Sequence, residues 1–401
     1  MTTGERIKYY RRRKGLSQAA LGGLVARSED WLSKVERGVI SIDSLSMLIQ
    51  LARELDISNV ADLVGPAIDL SLVGGGEHPS VPAIRRAINT PPSLLGVGLP
   101  GDPLTAAQLD ERVVEAWGVY ETERERYGPV GEMLPGLLGE TYATLRQSTG
   151  EDELSATRSL VSLFHLHQVF LRRVGERRLS RIAADRAMQI ADETGDPALI
   201  AAAAWNCCAI LTSSGEVSDS LDLARKMIEH CRPGDDASPE HLSAYGALHL
   251  AGVIAAVRDS KAPTAWDLLR GADVVAKRLG VDGNHFHTSF GPTNVKQHGV
   301  HLAAEEGDSH EALRLADDVE DNPALPLERR TRYMVEVMHS HRRTGDDFGT
   351  LHALRQIMEA SPEEIKYFPL VREAVQSLMK RPRPMMRREL HAIAEHVGVL
   401  A

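Results

Sequence analysis

The sequence predicts an all-α protein in which a five-helix N-terminal bundle precedes an α-solenoid of helical hairpins. Three observations predict this class. Ala and Leu are abundant while aromatic residues make up only 4% of the chain, a composition that favours helix over sheet. Apolar residues recur at helical spacing through most of the sequence. After residue 105 the helical patterns recur in pairs about every 35 to 45 residues, which is the period of stacked helical hairpins.

Length and composition suggest how the chain is divided. Its 401 residues, 43% of them hydrophobic, are enough for two or three packed domains. We predict an N-terminal domain over residues 1–66, a linker rich in Pro and Gly over 67–103, and a repeat domain over 104–401. Because the sequence contains neither a run of about eighteen apolar residues nor a secretory signal, we expect a cytoplasmic protein without a membrane partner.

The first helix, predicted over Gly4–Lys14, carries a concentration of positive charge. The net charge of the whole chain is −10, yet residues 1–66 hold ten Lys and Arg against eight Asp and Glu. Six of these basic residues lie between Arg6 and Lys14. A local basic patch on an acidic protein indicates one small surface for phosphate.

The stretch Ser17–Gly38 predicts two short helices joined by a tight bend. Ser17 and Ser28 are suitable N-caps, and Arg37-Gly38 is a helix C-terminal signal. Two such helices form a helix-turn-helix, whose second helix enters the DNA major groove. A fourth helix over Ser41–Asp56 and a short fifth over Ile57–Val64 complete the predicted bundle.

Residues 4–64 resemble the xenobiotic-response-element (XRE) and phage-repressor type of helix-turn-helix domain. The resemblance lies in the runs I-K-Y-Y-R-R-R-K-G-L-S-Q, W-L-S-K-V-E-R-G and L-S-M-L-I-Q-L-A-R-E-L-D-I. It implies a transcriptional regulator that binds a double-stranded DNA operator, and the small size of one head favours a homodimer.

The resemblance also implies roles for single residues. Gln18 would contact the DNA backbone or a base, and Lys34 could donate to guanine. Side chains at the start and on the inner face of the second helix would contact base edges. Arg37 and the first helix would contact phosphates. The candidate DNA-binding residues are Arg11, Arg13, Gln18, Ser28, Glu29, Asp30, Ser33, Lys34 and Arg37.

Two features of the predicted helix pair depart from the family pattern. The first feature is the acidic pair Glu29 and Asp30, which has three interpretations. The carboxylates stabilise the helix dipole, or one of them accepts a hydrogen bond from cytosine, or the head binds protein instead of DNA. Gly22-Gly23 lies in the first helix of the pair, and because Gly disfavours helix, we expect that helix to be loosely held.

The segment after the bundle is rich in helix breakers, with one helix predicted around Val81–Ile88. It contains Gly96-Val-Gly-Leu-Pro-Gly101, but a dinucleotide site would need a strand before this motif and a helix opening at it. Neither is indicated there, so we predict no nucleotide cofactor.

The repeat domain resembles tetratricopeptide (TPR) hairpins in segments such as Ser218–Met227 and Ser309–Asp318. The two-part layout resembles actinomycete regulators with an XRE-type head, and also the peptide-pheromone receptors of Gram-positive bacteria. The resemblance implies that the repeats bind a signalling peptide or small molecule, mediate dimerisation, or both.

Asn suits peptide recognition because its amide both donates and accepts hydrogen bonds. We therefore single out Asn206, beside Trp205, and Asn294 as ligand candidates, with a second rank of Tyr245, His249, His298 and Arg332. Each could equally be a polar residue on a packed helix.

Metal binding and catalysis are not predicted. His165/His167, His285/His287 and His339/His341 have i, i+2 spacing, which places them on different helix faces. Cys207, Cys208 and Cys231 lack metal-site spacing and are expected to be buried thiols. No nucleophile elbow, phosphate loop or metalloprotease motif is present. We predict no cofactor and no enzyme; the main rival to a regulator is a protein-interaction scaffold with a head that does not bind DNA.

Overall fold

The chain folds into a small helical head and a large body of stacked helical hairpins. The computed structural model describes residues 2–40, 42, 45–55, 57, 63, 78–91, 93–94, 102–320, 322–323, 325–380 and 383–399, and no strand occurs among them. The predicted all-α class, a helix-turn-helix head followed by a helical-repeat solenoid, is confirmed.

The head contains four described helices: α1 (Thr3–Arg13), α2 (Gln18–Leu24), α3 (Glu29–Glu36) and α4 (Leu45–Glu54). Most of the predicted fifth helix over Ile57–Val64, like the G-x-G-x-x-G motif, lies outside the described residues. The predicted caps form: the Ser17 hydroxyl accepts from the Ala20 N–H and the Ser28 hydroxyl from the Trp31 N–H, both at 3.0 Å. Apolar side chains of all four helices and their ends form one core. Its members include Ile7, Leu21, Val25, Trp31, Leu32, Val35, Met47, Leu51, Ala52 and Leu55.

Gly22 has a packing role that the sequence did not reveal. A Cβ atom at this position would lie 2.9 Å from the Arg27 carbonyl oxygen and 3.1 Å from that of Ser28. The turn between α2 and α3 therefore folds directly onto the α2 backbone, and only glycine leaves room for it. Gly23 is exposed with no such neighbour.

The body begins with a helix inside the segment predicted to be a linker. This helix, α5 (Val81–Asn89), forms where Val81–Ile88 was predicted to be helical. Val81, Ile84, Ala87 and Ile88 are fully buried in the same core cluster as the following helices. Residues 81–89 thus pack as part of the body, and the division at residues 66 and 103 stays a prediction.

The hairpins of the body follow in chain order. They are built from α6 (Ala106–Thr122), α7 (Tyr127–Leu145), α8 (Glu151–Arg173), α9 (Arg177–Thr194), α10 (Pro197–Ser213), α11 (Val217–His230), α12 (Pro239–Arg258), α13 (Ala262–Leu279), α14 (Pro292–Glu306), α15 (Ser309–Ala316), α16 (Leu327–Thr344), α17 (Asp347–Ala360), α18 (Pro369–Met379) and α19 (Arg387–His396). Each helix packs on its successor in sequence, and α8, α10, α12, α14, α16 and α18 also pack one on the next. These six helices form the inner layer of a superhelix.

The superhelix curves far enough for distant parts of the body to meet. Helix α16 contacts α6, and Arg173 on α8 forms an ion pair with Glu328 on α16. Arg126, just before α7, and Glu364, just after α17, form a second, fully buried ion pair. The inner layer therefore surrounds a central space rather than lining an open groove.

The three cysteines are packing residues. Burial raises the pKa of Cys207 and of Cys208 to about 12 and that of Cys231 to about 11. Thiols with such values stay protonated and unreactive near neutral pH. No helix in the described parts of the chain is both long and apolar enough to cross a membrane.

Candidate functional site

The first candidate surface is the outer face of α3. Glu29, Asp30 and Arg37 are exposed, and Ser33 and Lys34 are partly exposed. Trp31, by contrast, is 6% exposed and lies in the core. A helix with this polar outer face and an apolar inner face is held rigidly by the head while its outer side chains remain available.

Arg11 does not lie on this surface. Its guanidinium is buried, forms an ion pair with Glu36 and donates at 2.7 Å to the Leu16 carbonyl oxygen. Gln18 joins the same group, because its Nε2 donates to Glu36 Oε2 at 2.8 Å. The structure thus uses Arg11 and Gln18 to tie α1 and the start of α2 to the end of α3, whereas Arg13 is exposed.

Lys34 and Asp30 form an ion pair on the exposed face of α3. Their Nζ and Oδ2 atoms lie 3.0 Å apart at i, i+4 spacing. Arg37 donates from its Nε to the Ser33 carbonyl oxygen at 3.3 Å. Asp30, in the acidic first turn of α3, therefore partly neutralises the charge of Lys34.

The second candidate site is the space enclosed by the body's inner layer, a cavity of about 400 Å³. Ligand pockets are typically about 300–1,000 Å³. Five of the seven ligand residues proposed from the sequence line it: Trp205, Asn206, Asn294, His298 and Arg332. They come from α10, α14 and α16 of the inner layer, in which α12 lies between α10 and α14.

The two other candidates, Tyr245 and His249, do not line the cavity. Tyr245 is buried in a hydrophobic cluster of α12 and α13, and the His249 ring packs edge-on against it at 5.1 Å. Burial lowers the pKa of His249 to about 4. Both side chains therefore lie within the packing between helices.

Asn206, Asn294 and His298 are held in place by local hydrogen bonds. The Asn206 amide donates to the Ala202 carbonyl oxygen at 3.1 Å, and His298 Nδ1 lies 2.9 Å from the Asn294 carbonyl oxygen. Burial, followed by repulsion from Arg329, lowers the pKa of His298 to about 3. This histidine is therefore a neutral hydrogen-bonding group of the cavity wall.

A strained segment, residues 280–291, forms another part of the wall. Phe286, His287 and Ser289 have φ angles of 51°, 58° and 53°, a region that non-glycine residues rarely adopt. The His287 ring stacks on Trp117 at 3.7 Å, and its Nδ1 lies 2.9 Å from Glu121 Oε1. Asn294 supports the segment by donating to the Ser289 carbonyl oxygen at 2.6 Å. Strain of this kind persists where surrounding contacts enforce it, often at functional sites.

Sequence reasoning missed most of the charged residues of the cavity. Arg172, Arg173, Arg329, Glu328 and Glu336 line it, and the paired arginines at 172–173 and 329–330 were the only available signal. His301, which also lines the cavity, pairs with Glu336 at 3.1 Å. Burial opposes these charges, but the mutual attraction and hydrogen bond raise the pKa of His301 and lower that of Glu336 to about 2.

The head contacts the body beside this cavity. Arg27, in the turn between α2 and α3, donates from its Nη2 to the Gly215 carbonyl oxygen at 3.3 Å, and its Nη1 lies 3.9 Å from Asp259 Oδ1. From the body, Arg343 donates to the Gly38 carbonyl oxygen. Ile42, which follows α3, lines both the cavity and the crevice between head and body.

Comparisons with known proteins agree with the head geometry. The family model of a helix-turn-helix domain matches residues 3–62. Residues 3–62 are thus a helix-turn-helix domain, as the sequence motifs predicted.

Beyond the head, the comparisons are less informative. No curated protein matches the sequence significantly. Among solved structures, the crystal structure of Bacillus thuringiensis PlcR in complex with the peptide PapR7 and DNA is similar at 12% identity and a TM-score of 0.31. That alignment covers 84% of this chain and 99% of the other.

Proposed function

We propose that this protein is a sequence-specific DNA-binding transcriptional regulator whose repeat body binds an effector. One observation carries the proposal: a helix-turn-helix domain places its own residue Ile42 in the wall of a ligand-sized cavity. A ligand-responsive regulator requires two coupled sites, one for DNA and one for the effector. Here Ile42 would connect them, because it belongs to the helix-turn-helix domain and also lines the cavity.

DNA would be read by the outer face of α3. Lys34, Ser33 and Ser28 would face base edges or phosphates, with Arg37 and Arg13 on phosphates. Arg11 and Gln18 would act indirectly by fixing α1 and α2 against α3. Because one head covers little DNA, we propose that two chains bind as a homodimer to two half-sites.

The effector would act through the contacts between head and body. Arg258 lines both the cavity and the crevice, and it lies next in sequence to Asp259, the partner of Arg27. An occupant that shifts Arg258 or Ile42 would change how tightly the head is held. Such coupling requires that the occupant bind one head position better than the other.

The decisive experiment is a gel shift of the purified full chain with fragments of its own genome across a salt series. We expect a specific complex whose affinity falls steeply with salt, because phosphate contacts release counterions. If no fragment gives a specific, salt-sensitive shift at micromolar protein, the regulator proposal fails, and the scaffold alternative takes its place.

A further inference from the structure

The cavity wall contains more arginine than its carboxylates neutralise. The arginines that line it are Arg172, Arg173, Arg177, Arg258, Arg329 and Arg332, and the glutamates are Glu121, Glu328, Glu336 and Glu373. Two of the arginines also pair with carboxylates that do not line the cavity, Arg173 with Glu364 at 3.5 Å and Arg258 with Glu305 at 3.4 Å. The shortage of negative charge therefore concerns Arg172, Arg329 and Arg332.

Three of the four carboxylates have other partners. Glu121 accepts from Asn284 at 2.8 Å and lies 2.9 Å from the His287 ring. Glu336 pairs with His301, and Glu373 pairs at 3.5 Å with Arg342, which does not line the cavity.

Glu328 remains, and three arginines share it. It forms an ion pair with Arg173 and lies 4.0 Å from Arg329 and 3.7 Å from Arg332. Arg172 has no carboxylate within 4.0 Å in the part of the chain that the structure describes, and its Nε atom is buried without a hydrogen-bond partner there.

The arginines are held in an unfavourable state. Burial, followed by repulsion from Arg173 and Arg332, lowers the pKa of Arg172 to about 9. Burial and repulsion from neighbouring arginines also lower the pKa of Arg329 to about 10 and that of Arg332 to about 9. A bound anion would relieve this repulsion, because guanidinium groups bind oxyanions with paired hydrogen bonds.

Aromatic rings adjoin the arginines. The Arg329 guanidinium lies 5.8 Å from the Trp205 ring, and that of Arg173 lies 5.8 Å from the Phe368 ring. Trp205, Phe368 and Trp117 all line the cavity. A ligand with a charged end and a flat apolar body would match both kinds of wall.

We propose that the cavity binds a small organic anion, with its oxyanion on Arg172, Arg329 and Arg332 and its apolar body against Trp205 and Phe368. The inference deepens the proposed function, because this anion would be the effector. The shared chemistry is an acidic group on an apolar body, whether the source is a metabolite carboxylate, the C-terminus of a short peptide or a phosphate ester.

Matched acid and neutral probes test this on the full chain without DNA. Calorimetry would compare 1-naphthaleneacetate with 1-naphthaleneacetamide, a hydrophobic tripeptide with free or amidated C-terminus, and phenyl phosphate with phenol. We expect at least one acid to bind about 10- to 100-fold more tightly than its neutral partner, the ratio for a lost charge-assisted hydrogen bond. The acid that wins identifies the source; equal or absent binding of acid and neutral partner in all three pairs overturns the proposal.

Variants locate the site. Arg329→Gln and Arg332→Gln should each abolish the preference for the acid, whereas Arg314→Gln, at an exposed arginine on α15, should leave it intact. Retention of the preference in both cavity variants overturns the assignment. Gel-shift results do not enter this test, so anion binding can stand or fall separately from the regulator proposal.

The melting temperature of Arg332→Gln without added ligand shows whether a lost preference for the acid could come from misfolding. Because the arginines repel one another in the empty cavity, Arg332→Gln should leave the melting temperature unchanged or raise it. A clear fall in melting temperature would mean that the cluster is a structural ion network, and this would overturn the proposal.

Discussion

Lys34 is the residue through which sequence readout by α3 is most directly tested. Its ammonium group lies partly exposed beside the Asp30 carboxylate and can reorient toward a guanine edge or a phosphate. Lys34→Ala should weaken binding to the specific operator by about 1–3 kcal/mol and relax base choice at one position. Competition gel shifts with single-base operator variants measure both effects.

A matched control is available in the body. Lys277 pairs with Asp273 at 2.7 Å with the same i, i+4 spacing on α13, so Lys277→Ala removes an equivalent surface ion pair away from the head. It should leave DNA binding unchanged. If Lys34→Ala weakens binding to every DNA equally, Lys34 contacts phosphate rather than a base.

Arg11 and Arg13 lie two residues apart but should behave differently. The Arg11–Glu36 pair has side chains only 9% and 1% exposed, so Arg11→Ala leaves a buried carboxylate without its cation. Loss of one partner of a buried pair costs about 3–5 kcal/mol. Hydrogen exchange of α1 and α3 in the full chain should therefore accelerate strongly in Arg11→Ala. In Arg13→Ala exchange should not change and only DNA affinity should fall; similar exchange in both variants would refute the distinction.

The difference between these two arginines shows what the sequence could not supply. Both belong to one basic run, and only the position of Glu36 in three dimensions separates the core ion pair from the exposed charge. The same limit applies to the cavity. Asn206 and Asn294 could be singled out by residue type, whereas Arg172 lies beside the arginines of α16 only because curvature of the superhelix brings α8 close to that helix.

At the scale of elements, helix positions could be predicted from local signals, namely apolar spacing and, in helices such as α6, α10 and α12, a side-chain N-cap. The exception is the function of segments between helices. Residues 280–291 lengthen one repeat and build a strained wall of the cavity through Asn284 and His287. Their role depends on contacts with Glu121 and Trp117 on a distant helix, which no local pattern encodes.

Helix α5 forms where a helix was expected within the segment predicted to be a linker, and it packs on the body. Ile84 is fully buried in the body core, so Ile84→Ala should lower the free energy of unfolding of the body by about 2–5 kcal/mol. Val114→Ala, at a valine that is 57% exposed on α6, is the control and should have little effect. Urea unfolding followed by circular dichroism makes the comparison. Equal free energies of unfolding for the two variants would mean that packing of α5 does not stabilise the body.

At the scale of the whole molecule, buried neutral histidines make stability depend on pH. Burial lowers the pKa of His165 and His298 to about 3 and that of His167, His249 and His339 to about 4. Below the ordinary histidine pKa of about 6.5, the unfolded chain binds protons that the folded chain does not. Stability should therefore fall as pH drops from about 6.5 toward 4, by up to about 1.4 kcal/mol per pH unit for each histidine.

His301 has the opposite effect on the pH dependence of stability, because Glu336 raises its pKa. Its contribution is present at pH values below the unfolded pKa and is lost as pH rises through the raised value. The histidines with a lowered pKa, which also include His78, outnumber it, so the net trend in acid is loss of stability. Melting temperatures measured between pH 4 and pH 7 should fall less steeply in His249→Gln than in the wild type or in His310→Gln, at an exposed position. A pH profile that is flat over this range in the wild type would contradict the burial of these rings as neutral groups.

The contact between head and body determines whether the two candidate sites can communicate. In the part of the chain that the structure describes, polar contacts between head and body include those of Arg27 with Asp259 and Gly215, and of Arg343 with Gly38. Asp259→Asn breaks the ion pair from the body side without altering the DNA-reading head. We expect this change to loosen the head by about 1 kcal/mol, or about fivefold in the exchange of residues 25–28 and 38–40.

Hydrogen exchange of the full chain tests this, with Asp267→Asn as the control because Asp267 pairs with Arg270 on the exposed face of α13. If the head is a regulated element, Asp259→Asn should also make operator affinity less sensitive to any anion that the cavity binds. Faster exchange with unchanged sensitivity would mean that Ile42, rather than Arg27, transmits the signal. Unchanged exchange would mean that other contacts, such as that of Arg343 with Gly38, hold the head, and coupling through Asp259 would be excluded.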